Sequence, residues 1–127
     1  MDIEINKPIN IILDVIDLDE HIPSMKFNVL IKVNKFSYSA EINSKLWIEC
    51  AIFDEFIRNM KDDNVAILKD MNGFFELILN PTQNWLEWSC GKEDLDGYIT
   101  SIKGREQLID ESKHALYEAF NDYPKWW

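Results

Sequence analysis

Residues 27–42 read FNVLIKVNKFSYSAEI, and the parsing of that stretch decides the fold. Phe27, Val29, Ile31 and Val33 alternate with Asn28, Lys32 and Asn34. Successive side chains of an extended chain point to opposite faces, so the pattern describes a strand with one wet face. After Asn34-Lys35 the alternation resumes: Phe36, Tyr38, Ala40 and Ile42 against Ser37, Ser39 and Glu41. Two such runs this close predict an antiparallel hairpin with one solvated face.

Upstream, residues 9–16 read INIILDVI, a run with apolar residues on both faces that predicts a strand buried on much of each. Residues 17–24 then turn the chain, with Pro23 as the breaker. Downstream of the hairpin the period changes from two to between three and four. Leu46, Cys50, Phe53, Phe56, Ile57 and Met60 form one stripe, which predicts an amphipathic helix from Lys45 capped by Asn43 or Ser44. Four further short strands are expected at residues 65–70, 74–79, 85–90 and 98–102, separated by turn residues such as Asn72-Gly73 and Asn80-Pro81. A second helix is expected from Leu108 to Tyr123, ended by Pro124. The predicted order is βββ-α-ββββ-α. This is an α+β domain with a curved antiparallel sheet of about six to seven short strands, one face covered by two amphipathic helices.

The chain has 127 residues, which is one domain (1–127) by the length prior. Its glycines and prolines, four of each, are scattered and form no linker. Thirteen Lys and Arg against 23 Asp and Glu leave a net charge of −10. Duplex binding needs clustered cations to neutralise phosphates, so a nucleic-acid partner is not expected. Anionic lipid is disfavoured for the same reason, and no apolar run approaches the roughly 18 residues of a membrane span. The opening MDIEINKPIN lacks the basic head and apolar stretch of a signal peptide, and two cysteines are too few for a disulfide framework. A reducing cytoplasm is therefore the expected location.

Motifs for chemistry are sparse. There is no nucleophile elbow and no glycine-rich phosphate cradle. Cys50 falls on the apolar stripe of the first helix and Cys90 ends a strand, where both read as small core residues. Asp17, Asp19, Glu20 and His21 are close in sequence but lack the glycine and terminal Glu of a calcium loop, so no metal and no cofactor are expected. With 23 carboxylates, an acidic pair at catalytic distance carries no information by itself.

The surface is more distinctive. Residues 8–25 hold four acids and no Lys or Arg, and Glu93, Asp94 and Asp96 form another acidic group. A negative field steers basic partners and raises association rates. Five tryptophans are many for this length, and strict alternation puts Trp85 on the wet face of its strand, where Trp commonly anchors an interface. Asp17, Asp19, Glu20, Trp85, Glu93, Asp94 and Asp96 are the expected partner-binding residues, on a protein that binds rather than catalyses.

The succession FNVLIKVN (27–34), SKLWIECAIFDEFIRNM (44–60), FFELIL (74–79) and WLEWSCG (85–91) resembles small acidic bacterial immunity proteins of contact-dependent and polymorphic toxin systems, including the wall-associated-toxin immunity type. The likeness covers about residues 25–103 and rests on element order and hydrophobic spacing. The C-terminal helix ending in YPKWW departs from that type. The resemblance implies a non-enzymatic cytoplasmic binder that neutralises a secreted toxin, often a basic nuclease. Two other readings stay open at this point. One is an enzyme or small-ligand domain with a polar cleft between sheet and helices that holds Cys90 or a histidine. The other is an acidic mimic of nucleic acid that inhibits a DNA-binding protein.

Overall fold

The computed structural model describes residues 2–127. Four strands precede the first helix: β1 (Asp2–Ile5), β2 (Asn10–Asp19), β3 (Ser24–Lys35) and β4 (Tyr38–Glu49). Helix α1 (Cys50–Lys61) is followed by β5 (Ala66–Lys69), β6 (Phe75–Asn80), β7 (Trp85–Glu93), β8 (Ile99–Gln107) and helix α2 (Asp110–Asn121). The chain is α+β, with eight strands in two antiparallel sheets of four, ordered β1-β2-β3-β4 and β5-β6-β7-β8. The expectation of one curved sheet with six to seven strands is corrected on both points. Both sheets are simple meanders and each is followed by a helix, so the second half of the chain repeats the element order of the first.

The hairpin predicted from residues 27–42 is present and longer than predicted. β3 and β4 pair from Ser24↔Glu49 to Lys35↔Tyr38, with Phe27 opposite Leu46 and Ile31 opposite Ile42. This register carries β4 through Leu46 and Ile48, which both face the core. The helix therefore begins at Cys50 rather than Lys45, and Asn43 and Ser44 lie within a strand instead of capping a helix. The N-cap residue Glu49 makes no side-chain cap, and the Cys50 N–H donates instead to the Pro23 carbonyl at 2.8 Å. The β2–β3 turn thus satisfies one of the donors that a helix start leaves open.

The additional strand β1 lies on the outer edge of the first sheet, with Ile3 opposite Leu13 and Ile5 opposite Ile11. All four of these side chains are buried. Four residues with two apolar positions are too short a pattern to read as a strand without the neighbour. The buried faces of both sheets and the stripes of both helices share one hydrophobic core. Phe53 on α1 stands at its aromatic centre, next to Phe27 of β3 and Phe120 of α2. The tail after α2 folds back onto α1. Trp127 packs edge-on against Phe53 and donates its indole N–H to Asp54 at 2.8 Å, while the Lys125 ammonium lies 2.6 Å from the same carboxylate.

In the second sheet, β8 passes so close to Trp88 that residue 104 has to be glycine. A Cβ there would lie 2.7 Å from three atoms of the indole, well inside contact distance.

At the edge of the first sheet Asp2 stands directly opposite Asp14. The hydrogen bond between these two side chains is the main reason that the Asp14 carboxyl is held above its ordinary value of 3.8; desolvation and the Asp2 charge act in the same direction. The sign follows from linkage. A carboxyl whose folded value is raised leaves the fold most stable when protonated, and stability is lost as pH rises from 3.8 through the raised value. Asp14→Asn is therefore expected to be more stable than the parent at pH 7, by roughly a few tenths of a kcal/mol because water screens a pair this exposed. Urea unfolding across pH checks this: the advantage shrinks on acidification, and a variant no more stable at pH 7 refutes it.

Candidate functional site

The acidic residues singled out above lie on two hairpin tips in different sheets. Asp17, Asp19 and Glu20 sit where β2 turns into β3. The β2–β3 register shifts between Val15 and Asp17, so Ile16 is the extra residue of a bulge and turns outward. Asp17 accepts the N–H of Leu18 at 2.8 Å, and Asp19 accepts that of His21 at 2.9 Å. These local bonds are the Asx-type contacts that favour a turn. Ile16, Leu18 and Ile22 stand exposed among the acids, Ile22 at 57%. Across the ladder Asp17 faces Lys26, and Glu49 closes the same end of the sheet opposite Ser24. The tip is a small apolar knob with an acidic rim.

Glu93, Asp94 and Asp96 sit on the β7–β8 tip. Every residue from Lys92 to Lys103 is exposed, so the outer half of this hairpin stands clear of the core as an arm. One Asp94 oxygen accepts the N–H groups of both Asp96 and Tyr98 at 2.9 Å, and Gly97 takes φ +87° to close the turn. Leu95 is fully exposed, with Tyr98 at 76% and Ile99 at 61%. Trp85 is at the other end of β7, eight residues from Glu93, which is roughly 26 Å along an extended strand. Its half-buried ring carries the Arg105 guanidinium 4.4 Å above it, and Arg105 also pairs with Glu87 at 2.9 Å. Of the seven sequence-predicted residues, the structure brings together Asp17, Asp19 and Glu20 in one group and Glu93, Asp94 and Asp96 in another, and leaves Trp85 apart from the second.

A cleft of about 730 Å³ opens at the root of the arm, between the middle of β4 and the ends of β6 and β7. Asn43, Ser44, Lys45, Asn72, Lys92 and Glu93 line much of it. Asp70, also in its wall, is buried and accepts the N–H groups of Phe75 at 2.9 Å and Asn72 at 3.3 Å, so its charge serves the β5–β6 turn. Cys90 lies buried beneath, where burial and then the Asp70 charge push its thiol up, against a lowering hydrogen bond with Ser44. Burial also raises Cys50, to about 11, with a smaller contribution from Asp54. Both thiols are thus held in the protonated, weakly nucleophilic form at neutral pH. Neither histidine lines the cleft: His21 is on the β2–β3 tip and His114 pairs with Glu118 on α2 at 2.9 Å. Among the described residues, no three His, Cys, Asp or Glu side chains converge as a metal site would require, and no helix is long and apolar enough to cross a membrane.

Sequence reasoning missed the apolar members of both tips. Leu18, Ile22, Leu95 and Ile99 have the composition of core residues, and only the length of each hairpin beyond the core exposes them. The usable signal was their position next to turn residues, Pro23 and Gly97. Comparison with protein-family models, with curated proteins and with solved structures finds no match to this chain.

Proposed function

We propose that this protein is a non-enzymatic protein-binding module of the immunity type, which neutralises a basic bacterial toxin domain by covering its active site or substrate path. The observation that carries the reading is the β2–β3 tip, where Ile16, Leu18 and Ile22 stand exposed beside Asp17, Asp19 and Glu20. Apolar side chains ringed by charge are the composition of an interface hot spot with a polar rim. The acids supply long-range attraction and orientation, and the apolar residues supply the area that slows dissociation. Local hydrogen bonds already order the tip, so less entropy is lost on docking. Acids gathered at hairpin tips, with Lys26 opposite Asp17, favour a folded protein partner over mimicry of an evenly charged phosphate backbone.

The test is co-expression with the product of the adjacent gene, read out by growth rescue and co-purification. Both are expected for the parent chain. The triple variant Asp17→Lys, Asp19→Lys, Glu20→Lys is expected to lower the association rate by about 10- to 1,000-fold at low salt, the range of electrostatic steering. Adding salt is expected to slow the parent towards the variant. Failure of rescue and co-purification, or indifference of both to the triple reversal, overturns the proposal.

A further inference from the structure

We propose that the β7–β8 arm joins two copies of this chain, each arm lying in the cleft at the root of the other. The arm is 12 consecutive exposed residues, 92–103, and nothing in the same chain covers Leu95, Tyr98 or Ile99. Exposed apolar residues on a well-ordered hairpin mark a surface that is covered in use. Asp94 and Gly97 close the turn at its tip, so the arm is a hydrogen-bonded hairpin.

The occupant follows from the position of the cleft. Gly91, Lys92 and Glu93 belong both to the root of the arm and to the cleft wall. When two arms lie antiparallel about a twofold axis, the tip of each reaches the root of the other. One contact then generates its mate, which is the self-complementary closure of a twofold dimer. The charges match in this arrangement. The tip carries Asp94 and Asp96, and the cleft presents Lys45 and Lys92. Asp70 has both oxygens engaged by backbone N–H groups, which leaves Glu93 as the acid in the wall without such bonds. Phe74 in the same wall is half-buried and offers apolar contact for Leu95 or Ile99. The arm and the cleft share no residue with the β2–β3 tip, so this inference does not depend on the toxin reading.

Light scattering of the purified full chain over a range of micromolar concentrations tests it. The expected mass is twice 15.0 kDa, falling towards one copy on dilution. Leu95→Glu and the pair Lys45→Glu, Lys92→Glu are each expected to weaken the dimer on the order of thirtyfold or more, the size of a hot-spot loss. All three positions are exposed, and circular dichroism verifies that the fold is kept. A chain that is monomeric at every concentration overturns the proposal. So does a dimer that tolerates Leu95→Glu, or one that Leu95→Glu weakens while the lysine reversals do not, because the arm then docks elsewhere. The pair Lys45→Glu, Lys92→Glu is expected to weaken the dimer without slowing capture of the toxin, and the β2–β3 triple reversal to do the opposite, which separates the two proposals.

Discussion

Phe53→Ala is expected to cost about 3–5 kcal/mol of folding stability, the usual range for deleting a buried aromatic ring. Phe53 is fully buried and touches four other aromatics. Phe27 of β3 stacks on it with centroids 6.5 Å apart, and Phe120 of α2 tilts against it at 5.7 Å. Tyr123 and Trp127 of the tail meet its ring at 5.9 and 5.7 Å. These contacts join β3, α2 and the tail to α1, so the variant loses the junction of sheet, second helix and tail together. A domain of this size has about 5–15 kcal/mol in all, so the loss is a large fraction of the total. Urea unfolding at neutral pH checks it, with Phe53→Leu as the conservative companion. A loss below about 1 kcal/mol for Phe53→Ala would show that the core collapses around the gap, contrary to this account.

Lys35→Met is expected to destabilise by about 3 kcal/mol, the lower end of the range for breaking a buried pair. Glu106 on β8 has a side chain only 3% exposed and is ion-paired with Lys35, which is itself 44% exposed. Lys35 lies at the end of β3 in the first sheet, so this pair ties one sheet to the other. Removing the cation strands a carboxylate in the core. The lower end applies because water reaches the lysine and screens the pair. The double variant Lys35→Met, Glu106→Leu replaces both charges by apolar groups and is expected to recover most of the loss. A double variant as unstable as Lys35→Met alone would mean that the pair matters through its shape and not its charge.

The misplaced start of α1 and the expectation of a single sheet have a common physical origin. Leu46, Cys50 and Phe53 recur at helical spacing, yet Leu46 and Ile48 also alternate as a strand does. Both patterns are present, and the β3 edge decides between them, because pairing from Ser24↔Glu49 to Phe27↔Leu46 gives this segment a full ladder of partners. A helix started at Lys45 would leave that edge of β3 bare. The split into two sheets was hidden for a related reason. Alternation marks which face of a strand is wet but does not name its neighbour, so eight strands in two meanders look the same as one curved sheet. The candidate site was half legible. The acids Asp17, Asp19, Glu20, Glu93, Asp94 and Asp96 could be grouped from sequence alone. Their apolar companions could not, because exposure depends on how far each hairpin runs past the core.

Composition and local pattern by themselves determined the α+β class, two amphipathic helices, an antiparallel hairpin from residue 27, and a surface ten charges negative. These are properties of side-chain size, charge and spacing, which each segment carries wherever it is placed. The tertiary structure decided the rest: where α1 begins, which strands share a sheet, the pairing of Lys35 with Glu106, and the exposure of Leu95 and Ile22. Each of these depends on a partner distant in sequence, and only the folded chain brings that partner into hydrogen-bond or contact range, or withholds it.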